Sequence, residues 1–220
     1  MLKRMAAVLL AALGIFNLAG CFNLRNTTEQ DKAFICGTVN GSVYESEFSG
    51  LKLNAPDGWE YSSEDELLEL MELNPEDYED DDERRQAELS LQKTIYDAML
   101  MDSATGSNII IMYENMSATV GGSLYTPEEY SDILQEEAET SNAYKSISEG
   151  TAEFCGEEYY SAVWETVNEN DVTVRQCTLV RKVDENYMLC IALTYLPEEI
   201  ELDYLKGLFE PLPQDSSETE

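Results

Sequence analysis

Apolar and polar positions fall into distinct rhythms along this chain, and each rhythm predicts a different element. Ala33 to Val39 and Ser42 to Phe48 flank Asn40-Gly41. These read as two strands joined at Asn40-Gly41, a pair that supplies the positive φ angles of a two-residue hairpin. Gly50 to Asn54 continues as a short strand closed by Pro56-Asp57-Gly58-Trp59. Ser63 to Leu73 repeats leucines at helical spacing, with Ser63 and Glu66 placed as a capping box. Helical spacing returns from about Arg84 to Met101, where Ala87, Leu91, Ile95, Ala98 and Met99 form one stripe. Ser107 to Glu114 holds three consecutive isoleucines and reads as a strand covered on both faces.

Thr126 caps a third helix, with Pro127 in its first turn and Glu129 completing the box. Tyr130, Ile133, Leu134 and Ala138 face its core. After Tyr144 the pattern turns to strands: Glu157 to Val167, Val172 to Lys182 and Asn186 to Tyr195, an antiparallel meander with tight polar turns. Pro197 opens a last helix, where Ile200, Tyr204, Leu205 and Leu208 share a side before Pro211 stops it. Hairpin strands interleaved with helices imply an α+β fold, with helices packed on a largely antiparallel sheet. No internal repeat appears, and residues 34–210 suit a single domain.

The first twenty residues follow a different logic. Lys3 and Arg4 precede an apolar run from Met5 to Phe16, and Leu18-Ala19-Gly20 leads into Cys21. Charge, apolar core and small residues make a secretory signal, and the run is too short for the roughly 20 residues that cross a bilayer. Leu-Ala-Gly-Cys is similar to the bacterial lipobox, which implies a lipid on Cys21 and cleavage just before it. Residues 1–20 are then a lipoprotein signal peptide, and 21–33 a polar, flexible tether. Residues 211–220 read as a disordered acidic tail. Two acyl chains suffice for stable attachment to a membrane.

Charge then removes whole classes of function. The chain carries 45 acidic and 13 basic residues, a net −32, and losing Lys3 and Arg4 with the signal takes it to −34. Nucleic acid is excluded as a partner, because binding it needs a basic face. The absence of histidine removes the usual general base and the commonest metal ligand. Seven of the eight residues from Glu76 to Glu83 are acidic. Asp77, Glu79, Asp81 and Glu88 match positions of a calcium-binding loop, but Asp82 stands where that loop needs glycine. The run therefore reads as a solvated face at a helix start, and no metal site or cofactor is expected.

Four cysteines follow Cys21: Cys36, Cys155, Cys177 and Cys190. Outside the membrane, disulfides are permitted. A meander turning at Val183-Asp184 brings Cys177 and Cys190 onto neighbouring strands, where they either bridge or remain buried thiols. No Cys-x-x-Cys, Gly-x-Ser-x-Gly, Ser-x-x-Lys or phosphate loop is present, and no catalytic residue stands out. Gly121-Gly122-Ser123 reads as a loop, Trp59 as a plug at a sheet edge or core rim, and Tyr159, Tyr160, Tyr187 and Tyr195 as sheet packing.

The segment Gly50-Leu51-Lys52-Leu53-Asn54-Ala55-Pro56-Asp57-Gly58-Trp59, after Tyr44 and Phe48, resembles the opening of PsbP-like domains of bacterial lipoproteins. The resemblance implies an α-β-α sandwich and a binding or assembly role, and it carries over no catalytic residue. The expectation is an extracytoplasmic lipoprotein on the cell membrane, a non-catalytic binding or accessory domain for an envelope protein or extracellular ligand. The alternative is an extracytoplasmic hydrolase using paired carboxylates.

Overall fold

The computed structural model describes residues 34–78, 81–140, 144–168 and 171–213. The signal, Cys21, the tether and residues 214–220 lie outside them. Two antiparallel sheets form the frame. The smaller contains β1 (Thr38–Asn40), β2 (Val43–Ser46), β3 (Leu51–Asn54) and β11 (Phe209–Pro211), in the order β1-β2-β3-β11. The larger holds β4 (Trp59–Tyr61), β5 (Thr94–Asp102), β6 (Asn108–Asn115), β7 (Lys145–Phe154), β8 (Glu157–Val167), β9 (Thr173–Lys182) and β10 (Tyr187–Tyr195). Its order is β4-β5-β6-β10-β9-β8-β7. Among the described residues four α-helices accompany the sheets: α1 (Glu64–Leu70), α2 (Asp82–Leu89), α3 (Pro127–Thr140) and α4 (Leu202–Lys206). The α+β class and the antiparallel meander are as the sequence predicts.

Burial explains the consecutive isoleucines. Strands β6 and β10 sit at the centre of the large sheet, and every residue of both is buried. Alternation divides them between two cores. Ile110 and Met112, with Val180, Met188 and Ala192, pack under Tyr130 and Leu134 of α3 and Leu67 of α1. Ile109, Ile111 and Tyr113, with Leu179, Leu189 and Ile191, meet Tyr44, Leu51 and Leu53 of the small sheet and Leu205 of α4. The large sheet is therefore covered by helix on one face and mainly by a second sheet on the other.

Local signals hold where they are chemical. Ser63 accepts from the Glu66 amide at 3.3 Å while Glu66 accepts from the Ser63 amide at 2.8 Å, starting α1. Thr126 and Glu129 do the same for α3, at 3.2 and 2.9 Å. The first hairpin turns one residue later than expected, on Gly41 and Ser42, since Asn40 pairs with Val43. The last helix is short, and β11 follows it: Pro211 pairs with Leu51 and the Leu212 amide donates to Gly50. The small sheet thus extends past residue 210 into the expected tail.

One expectation is corrected, and one pair of alternatives is decided. The helix from Arg84 to Met101 is instead α2, ending at Leu89, followed by strand β5. A β-bulge between Tyr96 and Ala98 inserts Asp97 and puts Ile95 and Ala98 on the same face, three residues apart. A bulged strand thus carries helix-like spacing. Of the two alternatives for Cys177 and Cys190, the structure has the buried thiols and not the bridge. Cys177 pairs with Leu193 and Cys190 with Val180, so the two are out of register. They also face opposite cores, and both are free thiols.

Truncating Ile111 to alanine, at 0% exposure, is expected to destabilise the fold by about 3 kcal/mol in a denaturant titration. Leu124→Ala, at 83% exposure, should stay within about 0.5 kcal/mol of wild type. Alkylation should label Cys177 and Cys190 only after unfolding, without prior reduction.

Candidate functional site

The bulge in β5 aims Asp97 out of the large sheet toward the small one, where it is 7% exposed. There its carboxylate accepts from the Gly37 amide at 2.9 and 3.1 Å, from the Tyr44 hydroxyl and from the Cys36 thiol. Only glycine fits at position 37, because a Cβ would lie 2.3 Å from the Tyr44 ring. Gln86 of α2 holds the same segment, donating to the Phe34 carbonyl at 2.8 Å and accepting from the Cys36 amide at 3.3 Å. Phe34 then inserts among Phe48, Tyr113 and Tyr187, with ring centroids 5.1 to 5.3 Å away.

Above this anchor lies a groove of about 2410 Å³. Its walls are β1 with the turn that follows, β4, and the helices α1 and α2, and Asp97 and Tyr187 are among the residues at its base. Trp59 and Tyr61 of β4 line it, and Trp59 is half-buried against the core at an edge strand, the rim position its sequence context predicts. Glu60, Glu64, Asp82, Glu83 and Glu88 make the lining acidic. Arg85 is the single basic side chain there, and it is paired with Glu64 and Asp82.

Burial pushes the Asp97 carboxyl up to about 6, and its three hydrogen-bond donors only partly offset that loss of hydration. The Cys36 thiol is pushed well above its ordinary value, first by burial and then by the Asp97 charge. It is a neutral donor rather than a nucleophile. The other buried carboxylate, Glu114, accepts from Thr94 at 2.8 Å and pairs with Lys93. It stands opposite Met188, in the core beneath α3, so Asp97 and Glu114 lie on opposite faces of the sheet.

The remaining residues singled out from the sequence are dispersed. Asp81 caps α2 by accepting from the Arg84 amide at 2.9 Å, and no cluster of metal-binding side chains occurs among the described residues. Glu79 and Asp80 lie outside them. Gly122–Leu124 is a 3₁₀ turn in a surface loop. Tyr159, Tyr187 and Tyr195 are buried and form no aromatic patch. Asn108, Thr194, Gln176 and Trp164 stand opposite one another across four strands. Each has a polar atom without a protein partner, but all four are buried away from the groove.

Fold and site together define a two-sheet α+β domain with one large acidic groove. No protein-family model matches the chain, and no curated protein matches its sequence. The structure is similar to the solution structure of cyanobacterial PsbP (CyanoP) from Synechocystis sp. PCC 6803. Identity is 13% and the TM-score 0.44, covering 81% of this chain and 98% of that one. So loose an overlap assigns neither a family nor a function. The α+β class rests on the chain's own strands and helices.

Asp97 sets a pH dependence. Its carboxyl binds a proton more tightly in the folded chain than at the ordinary value of 3.8. Its stabilising share is complete below about pH 4 and is lost as pH rises through about 6. Unfolding titrations of wild type should lose stability between pH 5 and 7 on the order of 1–3 kcal/mol more than Asp97→Asn does. Parallel profiles would contradict this.

Proposed function

We propose that this chain is a non-catalytic binding or accessory domain, held at the outer face of a membrane by a lipid on Cys21. The observation that carries the reading is the groove between the sheets. At about 2410 Å³ it exceeds the roughly 300–1,000 Å³ of small-molecule sites, and it suits a segment of another macromolecule. Its apolar and aromatic walls offer contact area, and its acids favour basic partners. The carboxylate at its base is already engaged by donors of its own chain. A hydrolase would need that group beside a second carboxylate with room for substrate between them. Asp97 and Glu114, the two buried carboxylates among the described residues, are separated by the sheet, and Glu64 and Asp82 at the groove wall are paired with Arg85.

Labelled fatty acid should enter the wild-type chain and not Cys21→Ser; equal labelling would remove the anchor from the reading. A photo-cross-linking residue in place of Trp59 should give one adduct of defined mass in whole cells. The same residue at the exposed Leu124, beyond the groove, should not. Uncross-linked chain alone from both positions would count against a ligand in the groove.

A further inference from the structure

Among the described residues the large sheet ends on β7, and no described strand lies on its outer side. Nearly the whole strand is exposed. Its hydrogen bonding can be read residue by residue from the turns. The two-residue turn at Cys155-Gly156 makes Phe154 and Glu157 a bonded pair, and bonded pairs then recur at every second residue. The far side of β8 agrees. The Asn168 amide bonds the Val172 carbonyl, which turns the even residues of β8 toward β9 and the odd ones toward β7. Gly150 and Ala152 therefore bond inward to β8. Glu149, Thr151 and Glu153 direct their amide N–H and C=O groups outward, away from the sheet. A bulge between Ser146 and Ser148 interrupts the ladder on one side and the turn at Cys155 closes it on the other. The open ladder thus spans residues 149–153.

The side chains on that ladder fix what can pair with it. Glu149 stands opposite Ala162, and Glu153 opposite Glu158. Ala162 belongs to the core beneath α3, so Glu149, Thr151 and Glu153 present their side chains on the α3 side. Tyr160, opposite Thr151, feels Glu149 from its own sheet and Glu128 and Asp132 from α3. A second copy of the chain is a poor occupant. An antiparallel two-fold about Thr151 would set Glu149 against Glu153 twice over, one about Glu149 would oppose that residue to itself, and one about Gly150 or Ala152 would bring a glutamate of each copy diagonal to its counterpart. Like charges directly opposite destabilise a strand pair, and each copy carries a net −32. An added strand with basic residues four positions apart would instead meet both glutamates from the same face.

We infer that the open edge of β7 is a strand-addition site for an extended basic peptide segment of another protein, with lysine or arginine opposite Glu149 and Glu153. Backbone bonds to Glu149, Thr151 and Glu153 supply the pairing, and the two glutamates supply the choice of sequence. This site stands apart from the groove, on the opposite edge of the large sheet from β4.

The test uses the full chain with short probe peptides of alternating lysine and valine, or of alternating glutamate and valine. The lysine peptide should slow amide hydrogen exchange at Glu149, Thr151 and Glu153, and its affinity should fall several-fold as salt is raised. The glutamate peptide should not bind. N-methylating the peptide amides that face β7 should weaken binding at least tenfold, and methylating those that face away should not. In the protein, Thr151→Pro removes one outward N–H at an edge position where proline is tolerated, and should cost a similar factor. Glu149→Lys with Glu153→Lys should exchange the preference for the glutamate peptide. Any of three results would overturn the inference: protection at β1 or β4 instead, indifference to N-methylation, or a dimer formed through β7. None of them bears on lipid at Cys21 or on an adduct at the groove.

Discussion

The structure depends on one buried contact between sheets, the Asp97 carboxylate held by Gly37 and Tyr44. Asp97 reaches it because β5 carries an extra residue, and Tyr44 reaches it from the middle strand pair of the small sheet. Tyr113 to Ser46 at 3.1 Å, Tyr61 to the Leu53 carbonyl at 2.8 Å and Arg181 to the Ser49 carbonyl at 2.7 Å reinforce the same seam. Apolar packing between sheets is non-directional and would tolerate sliding. These polar ties fix the relative placement of the sheets. They place the hairpin opposite β4 and so hold the groove open between them. The cost is a carboxylate removed from water, tolerable because three donors surround it.

The same bulge marks where the sequence stops being legible. Leu91, Ile95, Ala98 and Met99 have helical spacing, and nothing local says that the spacing arises from a strand with one residue inserted. The β-branched and aromatic content of Thr94, Ile95 and Tyr96 was the signal available, and period alone outweighed it. By contrast, the starts of α1 and α3 were legible to the residue, since a capping box is satisfied by neighbours in sequence. The isoleucine run in β6 was legible because a short, β-branched run with apolar residues at both parities suits a strand buried on both faces.

The thiols and the site show the opposite limit. Placing Cys177 and Cys190 on adjacent strands was right, but their register hangs on where a four-residue turn begins. Each added turn residue shifts the pairing and changes the face. The groove was illegible altogether. It joins β1, β4 and two helices from separate stretches of chain, and its base is a single aspartate among 45 acids. Gly37 was a usable clue, since a glycine just before a strand can mark close approach by another group, here the Tyr44 ring.

Net charge links the groove and the sheet edge. A long open strand is a hazard in most proteins, since it templates pairing with further copies. Here the residues that could pair are flanked by glutamate, and every copy brings the same sign. Self-pairing is penalised while the backbone groups of 149–153 stay available. The alternative protection, covering the edge or breaking it with lysine or proline, would remove that availability for any partner. The strong acidity of the chain thus has a constructive reading. In the proposed reading, charge at two surfaces, one concave and one linear, favours a basic chain and repels a second copy. Screening weakens that selection beyond about 8 Å at physiological salt. Discrimination therefore acts at contact, where Glu149 and Glu153 stand directly on the open ladder.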